Sequence, residues 1–408
     1  MKKVNIVGIG IGDADYLHNK AISAINSSDC LIGSKRTVEK FNNLNKEIHS
    51  SIEADEIYEY ILKSSKEKFC VLVSGDSGFF SLSKSLTEIL LENSDIKLNN
   101  ITAISSLQYF CSKLNMSWDN IKIVSLHGRK TNFISNIMFN KRTFLLTGGS
   151  MKPEYICKVL SNKGLGHLKV WVGENLSYRN ERIREDKASN IATMDFDSLA
   201  VMIVENDEAI DNSLCLRSLR DDEFITGKTP MTKSEVRTVS ISKLNLKRDS
   251  IVYDVGAGTG SVSIEIALRL SEGCLYAIEK NEPAVDLIHK NIEKFKAFNI
   301  EVIKGNAPEA FDNLPRPDCA FIGGSSGRLD EIIRELLKKN PYVNVVINTI
   351  TLESLNEGLD CMAKYKFDNV EIINMTIAKS KKVGTYNMMM GQNPIYIISG
   401  RGSGIIES

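Results

Sequence analysis

Short apolar runs alternate along the chain with longer amphipathic stretches, the pattern of α/β folds with mainly parallel sheets. In the first half the runs predict strands at Val4–Ile9, Cys30–Ile32, Phe69–Val73, Ile101–Ile104, Lys122–Leu126, Thr143–Thr147, Lys169–Val172 and Ala200–Val204. Helical periodicity falls between several of them, as at Ser81–Leu91 and Leu107–Leu114. The pattern then restarts with Ile251–Asp254, Cys274–Ile278, Glu301–Ile303, Cys319–Ile322, Asn344–Asn348 and a late Pro394–Ile398. Glu205–Asp222 is polar and charged and reads as a linker, which predicts two domains, 1–212 and 213–408.

Length and charge narrow the function classes. A chain of 408 residues accommodates two to three ordinary domains. With 42% hydrophobic and 25% charged residues, its composition is globular rather than disordered. Residues 1–220 carry 28 basic and 26 acidic side chains and residues 221–408 carry 23 and 25, so neither half is a basic module and no nucleic-acid partner is expected. No apolar run approaches the ~20 residues of a membrane helix, and Met1-Lys2-Lys3-Val4 leads into a strand rather than a signal core. A cytoplasmic protein without membrane contact is expected. The eight cysteines lie far apart with no Cys-x-x-Cys pair, which predicts small buried hydrophobes and no metal site.

The clearest chemistry is Asp254-Val255-Gly256-Ala257-Gly258-Thr259-Gly260, between a strand and a helical run, Val262–Leu270. Glycines there let the backbone turn tightly and press against a ligand at a helix start. Glu279 ends the following strand, where a carboxylate can accept the ribose hydroxyls of an adenosine. Two cofactors fit. A dinucleotide prefers a third glycine where Ser261 stands, whereas Gly-x-Gly-x-Gly suits S-adenosyl-L-methionine, which has no pyrophosphate to cradle.

Further segments accompany that turn: Asp222-Glu223-Phe224, Pro230-Met231-Thr232-Lys233-Ser234-Glu235-Val236-Arg237, Tyr276-Ala277-Ile278-Glu279, Gly305-Asn306-Ala307-Pro308-Glu309-Ala310, Phe321-Ile322-Gly323-Gly324 and Asn393-Pro394. With them, residues 221–400 resemble the cobalt-precorrin-6B C15-methyltransferase (decarboxylating) family. The resemblance implies a Rossmann-like class I methyltransferase fold whose cofactor contacts fall on Thr232, Gly256, Ala257, Gly258, Thr259, Gly260, Glu279 and Ala307. Asn306 stands where that family has Asp and can still bond an adenine edge.

The first half offers three small, polar loops after strands: Val7-Gly8-Ile9-Gly10-Ile11-Gly12-Asp13, Ser74-Gly75-Asp76-Ser77-Gly78-Phe79-Phe80 and Ile104-Ser105-Ser106-Leu107-Gln108. Together with Ser125-Leu126-His127-Gly128-Arg129, Gly173-Glu174-Asn175-Leu176 and Glu181-Arg182-Ile183, they resemble the tetrapyrrole methylase family (class III methyltransferases), in its carbon-5 branch. The resemblance covers residues 3 to about 206 and implies cofactor contacts at Gly75, Asp76, Phe79, Ser105 and Ser106. Ile11 and Ser77 replace prolines usual in that family, which loosens those loops.

In this order the halves are similar to the bifunctional C5,15-methyltransferases acting on precorrins. That implies S-adenosyl-L-methionine in both halves and a tetrapyrrole substrate rich in carboxylates, in an expected homo-oligomer. Substrate contacts are expected from His127, Arg129 and Lys130, and from Lys379, Lys381 and Lys382 unless these form a solvated loop; no catalytic acid or base is assigned. An RNA or other small-molecule methylase, a nicotinamide-dependent oxidoreductase and a non-catalytic binding module remain the alternatives.

Overall fold

The structure, a computed structural model, describes residues 1–127, 132–211 and 217–404. It is an α/β protein that packs as two compact units, Met1–Lys130 with Arg142–Glu205, and Thr131–Lys141 with Asn206–Ser408. The polar stretch predicts a single cut near residue 212, whereas the packed units interleave in sequence. The reason lies in the second unit, where the buried helix Phe133–Met138 is fastened by hydrogen bonds. Asn132 Nδ2 and Ser135 Oγ both donate to the Gly273 carbonyl (2.8 and 2.5 Å), and Asn206 Nδ2 donates to the Ile137 carbonyl (3.1 Å).

The first unit holds two five-stranded sheets. One consists of β1 (Lys2–Gly8), β2 (Cys30–Gly33), β3 (Glu47–Ser50), β4 (Lys68–Val73) and β5 (Ile96–Ile101), all parallel, in the order β3-β2-β4-β1-β5. Its central strands are covered on both faces: Val4, Ile6, Phe69 and Val71 enter one core, and Val7, Cys70 and Leu72 the other. That double burial makes them legible as continuous apolar runs. The other sheet consists of β6 (Lys122–Ser125), β7 (Arg142–Leu146), β8 (Lys169–Glu174), β9 (Arg182–Lys187) and β10 (Ala200–Glu205), ordered β6-β7-β10-β8-β9. Here only β6 and β7 are parallel, and β10 runs antiparallel to both of its neighbours, so the expectation of mainly parallel sheets fails in this sheet.

In the second unit β11 (Ile251–Val255), β12 (Cys274–Glu279), β13 (Ile300–Lys304), β14 (Cys319–Ile322), β15 (Asn344–Thr349) and β16 (Asp368–Met375) precede a hairpin of β17 (Ala378–Val383) and β18 (Tyr386–Gly391). The last strand, β19 (Ile395–Arg401), inserts between β15 and β16 and is antiparallel to both, giving the order β13-β12-β11-β14-β15-β19-β16. From β11 the chain steps to β12 on one side and later to β14 on the other. Their carboxyl ends therefore open a crevice at a topological switch point, where open α/β sheets take up ligands.

Strands with little apolar signal escaped the sequence reading. β3, β9, β16, β17 and β18 are largely exposed, and β5 begins five residues before the predicted Ile101 because its polar Lys97, Asn99 and Asn100 mask it. Six of the seven described cysteines are buried, none of the seven forms a disulfide, and burial pushes the Cys70 thiol up to about 12. Among the described residues no helix is long and apolar enough to cross a membrane.

Candidate active sites

In the second unit the crevice is built on the glycine turn. Gly256, Gly258 and Gly260 have φ of +74°, +57° and +76°, a region L side chains seldom adopt. A Cβ on Gly256 would sit 2.8 Å from the Gly324 carbonyl oxygen, so the turns after β11 and β14 meet backbone against backbone. The amides of Gly256 and Ala257 donate to the Ile278 carbonyl (3.0 and 3.1 Å), and that of Gly323 to Val255 (2.9 Å), which locks three strand ends together.

Glu279 completes the turn in a way its position alone did not reveal. Its Oε2 accepts the Gly258 N–H and its Oε1 those of Lys280 and Asn281, each at 2.9 Å. About three of its four lone-pair sites are used, leaving roughly one on Oε2 for a ligand hydroxyl. Beside it, the Gly305 amide donates to the Glu279 carbonyl (3.0 Å), which brings Asn306, exposed, and Ala307, half-buried, to the same rim.

Behind the turn, Asp254 and Thr259 are buried. Asp254 Oδ2 accepts the Ser263 hydroxyl, while Asp254 Oδ1 and Thr259 Oγ1 lack partners among the described residues. Burial pushes the Asp254 carboxyl up to about 7, the Ser263 hydroxyl pulling it back and the Glu279 charge adding to the rise.

Thr229 and Pro230 cross the turn, and two residues on the Thr232 carbonyl accepts from Arg237. The Pro230 carbonyl lies 3.4 Å, and Thr229 Cγ2 3.7 Å, from where a Cβ on Gly258 would stand. The structure thus brings residues 256–260, Glu279, Asn306 and Ala307 to one rim, with Thr232 two residues beyond the crossing Pro230. Of the expected substrate cations, Lys379 is engaged with Glu235 (2.8 Å), whereas Lys381 and Lys382 stand on the exposed hairpin without an ion pair among the described residues.

In the first unit the three loops border a cleft of about 540 Å³. Gly75, Phe79, Ser106 and His127 line it; Asp76 and Ser105, next to Gly75 and Ser106, do not. Asp76 Oδ1 accepts the Gly78 N–H and Oδ2 the Ala103 N–H, both at 2.8 Å, so one carboxylate ties the loop after β4 to the loop after β5. Ser105 caps the helix Ser106–Lys113 in a capping box with Gln108, which aims the helix start at the cleft.

Arg36, Lys40, Thr147 and Tyr178 also line the cleft, and the sequence reading missed them. The available signal was the polar Ser34–Thr37 stretch after β2, another strand-end loop. Lys40 Nζ donates to the Gly12 carbonyl (2.9 Å) and lies 5.2 Å from the centre of the Tyr178 ring. Gly12 has no room for a side chain: a Cβ would meet that ring at 2.5 Å. The imidazole of His127 lies closer still over Gly148, where a Cβ would meet its Nδ1. Arg129 and Lys130 lie outside the described residues.

Known families match both halves of the chain. Residues 223–400 match the family described as precorrin methyltransferase domain, and residues 3–192 the tetrapyrrole (corrin/porphyrin) methylases. A protein of Sulfurisphaera tokodaii, described as a probable cobalt-precorrin-6B C(15)-methyltransferase (decarboxylating), is 42% identical over 191 residues, 45% of this chain and 97% of that protein. Its namesake from Saccharolobus solfataricus is 41% identical over 187 residues, 44% of this chain and 90% of its own. The chain belongs to the precorrin methyltransferase family. A solved structure similar to it, precorrin-6Y C5,15-methyltransferase from Geobacter metallireducens, is 38% identical, with a TM-score of 0.43 over 45% of this chain and 97% of that one. As a member of that family the chain is a methyltransferase, and a tetrapyrrole methylase domain precedes its precorrin methyltransferase domain.

Proposed function

We propose that this methyltransferase is bifunctional and uses S-adenosyl-L-methionine at both sites to methylate carbons 5 and 15 of a cobalamin precursor, and that its second unit also decarboxylates an acetate side chain. The observation that carries the reading is the presence in one chain of two separate strand-end sites, each within its own unit and each in a stretch that matches a methylase family.

The residues present fit the cofactor. The glycine turn presents backbone without side chains, Glu279 keeps accepting capacity for a ribose hydroxyl, and the unpartnered Asp254 Oδ1 and Thr259 Oγ1 offer polar atoms beneath it. When bound, S-adenosyl-L-methionine supplies a methyl group on a sulfonium, open to displacement by an electron-rich ring carbon. The chain's own work is alignment and exclusion of water. In the second unit Glu279 fixes the turn, Thr229 and Pro230 cross it, and Lys381 and Lys382 offer charge to substrate carboxylates. In the first, Asp76 and Ser105 hold the loops in register while Arg36, Lys40 and His127 line the space available to the macrocycle.

Calorimetric titration of the intact chain with S-adenosylhomocysteine tests the two-site arrangement. Two equivalents per chain are expected, and Glu279→Ala removes one of them while the other keeps its affinity. A wild-type chain saturating at one equivalent contradicts the reading.

A further inference from the structure

Residues 219–232 are held by an unusual density of buried polar side chains. Arg237, with no exposed surface, pairs through Nε with the equally buried Glu265 (2.9 Å). Its remaining nitrogens all go to the segment: Nη2 donates to the Leu219 carbonyl (2.7 Å), and Nη1 to Asp221 Oδ1 (2.8 Å) and the Thr232 carbonyl (2.5 Å). One guanidinium therefore grips both ends of the segment, with the Phe224 ring 4.8 Å from it. Asp221 Oδ1 also accepts the Ser234 N–H (3.0 Å), and Glu265 accepts the Leu219 N–H (3.2 Å).

Asn291 grips the middle. It is fully buried on the helix Glu282–Phe295; its Oδ1 accepts the Ile225 N–H (2.8 Å) and its Nδ2 donates to the Ile225 carbonyl (3.1 Å). The second Nδ2 proton goes to the Thr259 carbonyl (3.0 Å), inside the glycine turn. A single amide thus joins the crossing segment to the turn. A core built only for stability would fill such places with apolar side chains, since buried charge and amide groups must recover their desolvation cost through every bond they make.

We infer that Asn291 and Arg237 are positioning residues for methyl transfer in the second unit: they fix residues 219–232 as a preset wall of the cofactor crevice. Neither lines the crevice; both act through Thr232 and the glycine turn. The inference rests on the cofactor reading above and adds to it the device that sets the crevice width. Preset geometry matters here because displacement at a methyl group demands alignment, and a wall that must order on binding weakens affinity.

Hydrogen exchange of the intact chain, with and without S-adenosylhomocysteine, tests this together with the ligand's dissociation constant at the second-unit site. Asn291→Asp keeps the acceptor and loses both donors; Asp221→Asn weakens the half-exposed end of the grip and leaves the Arg237–Glu265 pair intact. In both variants residues 219–232 should exchange about tenfold faster and the dissociation constant should rise about tenfold. The helices Ser234–Lys243 and Glu282–Phe295 should keep their protection. Faster exchange across those helices too means a merely structural role and overturns the inference. So does faster exchange of the segment with unchanged affinity, or unchanged exchange in both variants. If the wild-type chain shows no ligand-dependent protection at residues 256–260, the cofactor reading itself falls, and the inference with it.

Discussion

Gly258→Arg should abolish carbon-15 methylation, by at least about a hundredfold, while carbon-5 methylation persists when its own substrate is supplied. At φ +57° an arginine pays roughly 1–2 kcal/mol for a left-handed backbone, which alone is tolerable. The larger effect is steric and electrostatic. The new Cβ starts 3.4 Å from the Pro230 carbonyl, so the side chain must push the crossing segment away or fill the crevice. It also disturbs the amide that Glu279 holds at 2.9 Å and brings a guanidinium next to that carboxylate. Decarboxylation should vanish in parallel, because the account assigns it to the same unit. Carbon dioxide still released from substrate by Gly258→Arg would remove that assignment.

Asp76→Ala should produce the opposite pattern. Its carboxylate takes two amide protons from two different loops, so alanine leaves the Gly78 and Ala103 N–H groups unpaired and unties the loop after β4 from the loop after β5. Each lost bond to a charged group is worth roughly 1.5–3 kcal/mol, and misplacing the cleft wall by about an ångström costs on the order of a hundredfold in rate. Carbon-5 methylation should fall by at least that factor, and a decarboxylated product with a single added methyl should accumulate. Product masses separate this from a general loss of folding, which would halt both reactions. Unchanged carbon-5 turnover would show that these loops do not shape the site.

How much of this was legible depended on burial. β1, β4, β11, β12, β14 and β15 are covered by packed side chains and announce themselves as apolar runs. β9 reads Arg-Ile-Arg-Glu-Asp-Lys and β3 Glu-Ile-His-Ser, and these exposed edge strands owe their conformation to a neighbour's hydrogen bonds, which no local pattern records. The same contrast holds at the sites. Glycines at positive φ and a carboxylate at a strand end are local requirements, so Gly256–Gly260 and Glu279 stood out. Arg36, Lys40, Thr147 and Tyr178 reach the first-unit cleft from separate elements, and Asn291 and Arg237 act through contacts 32 and 5 residues away in sequence, to Thr259 and Thr232. Arg237 ends the Pro230–Arg237 segment and Arg36 stands in a polar strand-end stretch, yet the partners that define their roles are set by the fold. Asp76 and Ser105 show the reverse case: loop residues visible in the sequence whose side chains tie and cap the loops instead of lining the cleft.

The claim that one chain performs both methylations and the decarboxylation is tested most directly by the product itself. The intact chain is incubated with S-adenosyl-L-methionine and a precorrin-6-type macrocycle, cobalt-containing in one arm and cobalt-free in another, and the product is weighed by mass spectrometry. A cofactor-dependent gain of two methyl groups with loss of one carbon dioxide is expected in at least one arm. A product that stops at one methyl group in both arms, or that gains two methyl groups and keeps its carboxylate, would contradict it.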